Sequence, residues 1–300
     1  MVQPANHDRP KLRGSMVALI TPFKDGAVDY AALKRLVDMQ IEAGTDALVP
    51  CGTTGESPTL SREEHDKIIE TVIARCDHRC SVIAGTGSNS TAQAVLATKH
   101  AAAAGADAAL LVAPYYNRPT QEGLYRHYAT IAQAVDIPLV LYNVPKRTGV
   151  AIAEETVIRL RKAFSHIVAV KHATGSVDGV DRLLAGCDID VLSGDDALTW
   201  PLMAMGARGV ISVVANIAPQ LSKALIEAAA DSGLTQGRNI HRRISALAEG
   251  LNGFGPNPVP IKAAMALAGH CGDELRLPLC PMDDKCKKAL TQLLKRHELL

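Results

Sequence analysis

Eight short, apolar, β-prone segments recur along this chain of 300 residues, each followed by a helical pattern, and that alternation restricts its fold more than any other feature. The segments lie at 16–20, 47–49, 82–84, 108–112, 138–142, 167–171, 190–193 and 209–213. Two of the intervening helix starts have the spacing of a capping box, Ser61 with Glu64 and Ser90 with Gln93. A local phrase repeats in EAGTDALV, AAGADAALLV and MGARGVISV: helix end, glycine, strand. A glycine stops a helix there by adopting the left-handed conformation, and the next strand begins within a few residues. Strict alternation with connections too short for a second sheet predicts an α/β fold of the closed parallel kind, a (β/α)8 TIM barrel over residues 14–218. A polar tail at 1–13 precedes it, and a C-terminal helical region at 219–300 follows, divided by the turn-rich GFGPNPVP at 253–260. A doubly wound open sheet is the alternative, but it wants a glycine fingerprint after the first strand, where LITPFKDG has none.

In such barrels the chemistry sits at the C-terminal ends of the strands and in the loops that follow. The sixth segment, in HIVAVKHATG, runs into Lys171. A lysine amine forms a Schiff base with a carbonyl only when neutral, and burial favours the neutral form. A strand-end lysine that snorkels its ammonium to water is the plainer alternative. The second segment runs into CGTTGES, where Thr53 and Thr54 beside glycines make either a nest for a carboxylate or a simple turn leading to the Ser61 cap. Five of the six tyrosines fall between residues 115 and 142, around the ends of the fourth and fifth segments. Tyr142 can pass protons during imine formation and Arg147 can clamp a carboxylate bidentately; packing tyrosines and a surface arginine are the alternatives. After the seventh segment, LSGDDALTWP puts Gly194 where a ligand can approach backbone closely, followed by Asp195 and Asp196. Two carboxylates would repel phosphate where barrel enzymes commonly bind it, so an unphosphorylated keto acid is the expected substrate.

A formal charge of +1 with acids and bases interspersed gives no basic stripe for nucleic acid and no polybasic cluster for an anionic membrane, which leaves small molecules as the expected partners. Seven scattered cysteines fit a reducing cytoplasm better than a disulfide framework. Cys76, His78 and Cys80 in RCDHRC have no second ligand pair at zinc-finger distance, so no metal is expected. The first fourteen residues lack the apolar stretch of a signal peptide, and no apolar run approaches the ~18 residues of a membrane span, so a cytoplasmic protein is expected.

Taken in order, GTTGES, PYYNRP, LYNVPKRTG, the VKHATG lysine segment, SGDD and PNPVPIK resemble the motifs of the dihydrodipicolinate synthase branch of the N-acetylneuraminate lyase superfamily, over roughly residues 14–300. The resemblance implies a lyase of the class I aldolase type that needs no cofactor beyond a covalent imine through lysine. It implies condensation of pyruvate with L-aspartate 4-semialdehyde to 4-hydroxy-tetrahydrodipicolinate, on the diaminopimelate route of lysine biosynthesis, by a homotetramer built as a dimer of dimers. Lys171 would form the imine. Tyr142, Thr53 and Tyr116 would form a proton relay, with Tyr116 reaching into a neighbouring subunit. Thr54 and nearby backbone N–H groups would hold the pyruvate carboxylate, Gly194 and Ile211 would line the same pocket, and Arg147 would receive the carboxylate of the semialdehyde. The residue after the lysine is usually acidic in this family but is His172 here; it faces away from the lumen, and a packed or hydrogen-bonded histidine is expected.

A sister aldolase acting on N-acetylneuraminate or a 2-keto-3-deoxy sugar acid would share the threonine loop, tyrosine and lysine but generally lack the arginine and the double tyrosine. Arg147, Tyr115 and Tyr116 therefore favour the synthase. A keto-acid-binding sensor without turnover would lack the lysine or a relay residue, and none is missing. In lysine-sensitive members an effector binds at positions that correspond to Ser57, Pro58, Arg62, His65, Asn89, Gln93 and Tyr115. Gln93 is neutral where sensitive bacterial members carry a glutamate, and Arg62 adds a positive charge, so weak or absent inhibition by lysine is expected.

Overall fold

A computed structural model describes residues 12–230 and 234–300, so the expected polar tail lies outside the described residues as far as residue 11. The eight expected segments form strands β1 (Gly14–Ala18), β2 (Ala47–Val49), β3 (Ser81–Gly85), β4 (Ala108–Val112), β5 (Leu139–Asn143), β6 (Ile167–His172), β7 (Asp190–Ser193) and β8 (Gly209–Ser212). All pair in parallel, each with its sequence neighbours, and β1 closes the barrel against β8 with Met16 opposite Ile211. The helices of the ring are α1 (Tyr30–Glu42), α2 (Arg62–Cys76), α3 (Thr91–Ala104), α4 (Gln121–Ala134), α5 (Glu154–Ala163), α6 (Val180–Gly186), α7 (Thr199–Ala204) and α8 (Pro219–Ala230). A hairpin of two-residue strands, Phe23–Lys24 with Ala27–Val28, lies outside the expected set because it is too short to leave a periodic pattern.

Closure sorts the side chains into two layers, since alternate residues of a strand face opposite sides of the sheet. Met16, Val49, Ile83, Leu110, Val140, Ala169, Leu192 and Ile211, one from each strand, fill the lumen as a single buried cluster. Their chain neighbours, such as Val17, Leu48, Leu111, Leu141, Val170 and Val191, face outward and pack against the helices. The three glycines of the repeated phrase are left-handed as expected, with φ of 78° at Gly44, 93° at Gly105 and 108° at Gly206.

The two expected capping boxes differ. At α2 the Ser61 hydroxyl accepts from the Glu64 N–H (3.2 Å) and Glu64 Oε2 accepts from the Ser61 N–H (2.9 Å). At α3 Ser90 makes no side-chain cap, and its own N–H donates to Ser88 Oγ at 3.1 Å, which occupies the donor that Gln93 would have satisfied.

Helix α8 lies along β1 and β8, with Ser222 Oγ 2.7 Å from Ser15 Oγ in the interior, and serves as the eighth helix of the ring. We therefore propose that the helical region outside the ring starts after Ala230, not at the 218/219 boundary expected from the sequence. That region comprises α9 (Leu234–Asn252), α10 (Val259–Leu267) and α11 (Asp284–Arg296). Leu247, Leu251, Ile261, Met265 and Leu290 from these helices share one apolar cluster with Val17, Leu36 and Ile69 of the barrel. Among the described residues no helix is long and apolar enough to cross a membrane.

The two serines give a direct test. Ser61→Ala should lower stability by about 1 kcal/mol, whereas Ser90→Ala should change it by less than about 0.5 kcal/mol. Paired denaturant unfolding followed by circular dichroism measures both, and equal losses would contradict the difference between the caps.

Candidate active site

Strand β6 sets Lys171 between Tyr142 of β5 and Leu192 of β7, two residues beyond Ala169 and therefore on the lumen side. The side chain is only 5% exposed, and its Nζ lies 4.3 Å from the centroid of the Tyr142 ring. Room for it comes from Gly194 at the end of β7. A Cβ at that position would stand 2.9 Å from Lys171 Cε, 3.1 Å from Lys171 Cγ and 2.7 Å from Ala173 Cβ. Close approach, rather than a left-handed backbone, is what requires glycine there. The Gly194 N–H donates to the His172 carbonyl at 2.8 Å and keeps the two strand ends together. Ile211 lies fully buried in the lumen cluster that also holds Tyr142 and Leu192.

After β2 the chain turns through the threonine loop. The Gly55 and Glu56 N–H groups fold back onto the Gly52 and Thr53 carbonyls at 3.1 and 3.2 Å. Among the described residues the N–H groups of Thr53 and Thr54 have no acceptor, so two donors remain for a ligand anion. Thr54 is buried, and its hydroxyl accepts from Asn257 Nδ2 at 3.0 Å. Glu56, left-handed at φ 55°, sends its carboxylate away from solvent: Oε1 accepts from Lys262 Nζ at 2.6 Å and Oε2 from the Arg276 N–H at 3.1 Å. Both members of this ion pair are 0% exposed. Burial pushes the Lys262 amine down from its ordinary value, against the opposing pull of Glu56.

A cavity of about 490 Å³ opens beside these elements. Thr53, Tyr142 and Arg147 line it together with six of the seven expected effector positions, Ser57, Pro58, Arg62, His65, Gln93 and Tyr115. Lys171 is not among the lining residues, but its Nζ stands against the ring of Tyr142, which is. Asn89 contributes no lining, and its carbonyl accepts from Asn117 Nδ2 at 2.9 Å. Among the described residues no aspartate or glutamate lines the cavity. Arg62 is not a bare cation: Nε donates to Asp66 at 2.6 Å and Nη2 to the Leu96 carbonyl at 3.2 Å. Arg147, exposed on the short helix Pro145–Thr148, donates from Nη2 to the Asn257 carbonyl at 3.1 Å. Tyr116 stands apart at 91% exposure, with a left-handed φ of 73°. The tyrosine cluster also divides, because Tyr125 and Tyr128 lie on α4: Tyr128 is buried in the core and Tyr125 sits under the Arg159 guanidinium, 3.5 Å from its ring centroid.

The two acids after β7 are both used internally. Asp195 caps the Ala197 N–H at 3.1 Å. Asp196 accepts from Ser212 Oγ and from the Val213 and Val214 N–H groups, each at 3.0 Å, while burial pushes its carboxyl above the usual range. His172 faces the helical layer, where Nε2 lies 2.9 Å from both the Ser176 carbonyl and Thr174 Oγ1. The Cys76 thiol donates to the Cys80 carbonyl at 3.0 Å, with the two sulfurs 3.4 Å apart; among the described residues no group of three potential metal ligands forms.

The model of the dihydrodipicolinate synthetase family matches residues 11–297 of this chain. The chain belongs to that family. Within the dihydrodipicolinate synthetase family it is 52% identical over 290 residues to a 4-hydroxy-tetrahydrodipicolinate synthase of Geotalea daltonii, covering 96% of this chain and 99% of the relative. The crystal structure of dihydrodipicolinate synthase from Aquifex aeolicus matches with a TM-score of 0.94 at 48% identity, over 96% of this chain and 99% of that one. The chloride-inhibited dihydrodipicolinate synthase from Acinetobacter baumannii, crystallised with pyruvate, matches with a TM-score of 0.93 at 45% identity, over 97% and 100%.

Sequence reasoning passed over Asn257, Glu56, Lys262 and Arg276, which hold the threonine loop and Arg147 from behind. One signal was available: Lys262 is the sole charge in the apolar helix VPIKAAMAL. Gly194→Ala tests the packing at the centre. Its Cβ must displace Lys171, so the variant should fold normally yet lose more than about tenfold in borohydride-trapped keto-acid adduct at Lys171. An undiminished adduct yield would show that the lysine does not depend on that gap.

Proposed function

We propose that Lys171 is the nucleophile of this enzyme and that the groups around it divide between its two substrates. The observation that carries the reading is a buried amine held between Tyr142 and the gap at Gly194, with Tyr142 lining one cavity together with Thr53 of the loop that has two unpaired N–H donors. The enzyme is a lyase of the class I aldolase type that condenses pyruvate with L-aspartate 4-semialdehyde to 4-hydroxy-tetrahydrodipicolinate in diaminopimelate and lysine biosynthesis. The Lys171 amine adds to the keto carbon of pyruvate, and water leaves to give the imine. Loss of a methyl proton gives an enamine, whose carbon attacks the aldehyde of the second substrate; the amine of that substrate then displaces Lys171 and closes the ring. The imine itself is the electron sink, so the reaction needs no added cofactor.

The pyruvate carboxylate is assigned to Thr54 and the free N–H groups of Thr53 and Thr54, with Gly194 and Ile211 shaping the pocket. Tyr142, Thr53 and Tyr116 are assigned to proton transfer. Arg147, on the open side of the cavity and steadied by the Asn257 carbonyl, is assigned to the carboxylate of the semialdehyde. The unphosphorylated substrates suit a strand-seven loop whose acids already occupy the neighbouring N–H groups. An exposed tyrosine in a costly left-handed conformation supports Tyr116 reaching a neighbouring copy, in a homotetramer built as a dimer of dimers. Seven free thiols support a cytoplasmic setting.

Pyruvate with borohydride should leave a reduced adduct on Lys171, located by peptide mass mapping, and Lys171→Arg should lose nearly all turnover because a guanidinium stays protonated. Arg147→Ala should keep the adduct but cost roughly ten- to a hundredfold in kcat/KM for the semialdehyde, the loss of a charged bidentate contact. An adduct on another lysine would overturn the assignment, and an unchanged semialdehyde KM would favour the sister aldolases.

The positions matching the family effector site are proposed to take lysine weakly or not at all. With no carboxylate on the cavity wall and Asp66 already paired to Arg62, the ligand's extra ammonium finds no counter-charge. Half-inhibition in an initial-rate lysine titration should lie above about 1 mM, and a value below it, equivalent to more than ~4 kcal/mol of binding, would show that other groups supply the attraction.

A further inference from the structure

The buried pair Glu56–Lys262 anchors the threonine loop that carries the two unpaired amides. Glu56 is two residues from Thr54 and binds the loop to the rest of the chain: its N–H donates to the Thr53 carbonyl (3.2 Å), and its carboxylate reaches Lys262 Nζ (2.6 Å) and the Arg276 N–H (3.1 Å). A carboxylate there serves geometry but brings a negative charge to the back of a site meant for an anion, in a water-free layer where charges act strongly. The charged groups that face it are few. Lys262 lies over the Phe23 ring at 4.2 Å, the Arg276 guanidinium over the same ring at 4.5 Å, and Arg276 is itself committed to Glu64. Glu274 and Cys271 face Lys262 from the segment before Arg276.

We infer that Lys262 is the counter-ion that makes the threonine loop receptive to an anion: it cancels Glu56, so that the Thr53 and Thr54 N–H groups can accept a carboxylate that Glu56 would otherwise repel. Neither residue touches substrate; both are positioning residues acting through the loop, and the inference rests on the reading that this loop holds the pyruvate carboxylate. A purely structural tie makes either half of the pair equally necessary. An electrostatic one gives the two halves opposite effects.

Four proteins separate these cases: wild type, Lys262→Met, Glu56→Gln and the double variant, each assayed for pyruvate KM, semialdehyde KM and kcat between about pH 6 and pH 9 and normalised to wild type at the same pH. In Lys262→Met the Glu56 carboxylate is left without its cation, and alkaline pH favours that charged, uncompensated state. Pyruvate KM should therefore stay within about threefold of wild type at the acid end and rise about tenfold or more at the alkaline end, with semialdehyde KM changing less than about twofold. In the double variant the pH-dependent excess should vanish. Glu56→Gln, which keeps the amine alone, should have a pyruvate KM at least about threefold below that of the double variant at the acid end of the range, where the amine is most fully charged.

Equal, pH-flat pyruvate KM values in Lys262→Met and the double variant would overturn the inference. Where Lys262→Met does not fold, equal pyruvate KM in Glu56→Gln and the double variant would overturn it instead. Thr54→Val checks the reading beneath: a pyruvate KM unmoved by that change refutes the carboxylate nest itself, whereas a raised one together with pH-flat charge variants refutes the counter-ion role alone.

Discussion

Closing eight parallel strands into a barrel leaves each strand one inward and one outward set of residues, and every later feature of the site depends on that sorting. The lumen is plugged by at least one apolar side chain from each strand, from Met16 round to Ile211. Two residues further along, the same inward sets reach Tyr142, Lys171 and Gly194 on three adjacent strands. A lysine could not occupy the plug without an unpaired charge at its centre, nor the next outward position without facing the helices. At the rim it is buried, yet stands against Tyr142, which lines the cavity. The slip of a single residue in β6 would exchange Lys171 with His172, the side chain that instead faces the helical layer and bonds the Ser176 carbonyl.

Two carboxylates near this rim, Asp196 and the buried Glu56, are satisfied by different means. Asp196 has neutral donors, the Ser212 hydroxyl and two N–H groups at the end of β8, and burial therefore pushes its carboxyl up. Those N–H groups lie where barrels with phosphorylated substrates commonly bind phosphate, so the chain places its own anion in that position. Glu56 instead has a full cation in Lys262. The difference follows from their neighbours: amides filled by Asp196 take no further ligand, while those beside Glu56 remain open. A site that must stay open to an anion needs the charge behind it cancelled, whereas a closed one needs only its donors filled.

The repeating architecture was legible in the sequence because each strand is a short apolar run ended by turn chemistry, and each relevant helix stop is a glycine that did become left-handed. Lys171, Tyr142 and Gly194 were legible because strand ends of a barrel share one rim. What local patterns could not convey was partnership across the chain. Ser61 and Ser90 have the same capping spacing, yet only Ser61 forms the box, since Ser88 claims the Ser90 N–H. Arg62 counts as an added charge in the sequence but is neutralised by Asp66 one turn later. Five tyrosines looked like one cluster, yet α4 turns two of them into the helical layer. Helix α8 reads as the start of an appendage, although its contact through Ser222 to Ser15 makes it part of the ring.

The threonine loop shows why such partnerships matter to function. The side chain of Asn257 reaches Thr54 across 203 residues of sequence, Lys262 reaches Glu56 across 206, and the Arg276 backbone reaches Glu56 across 220. No local interaction can substitute for these, because the loop is left-handed at Cys51 and Glu56, conformations that cost free energy unless the surroundings hold them. The barrel strands can pair from contacts between successive units, but the threonine loop is held in shape only when α10 and the segment around Arg276 dock against it. The turn that leads into α10 carries the Asn257 carbonyl that steadies Arg147 and the Asn257 side chain that reaches Thr54, so the groups assigned to both substrates share one support. The C-terminal region is in this sense the back wall of the candidate site, and its position relative to the barrel sets the distance between the threonine loop and Arg147.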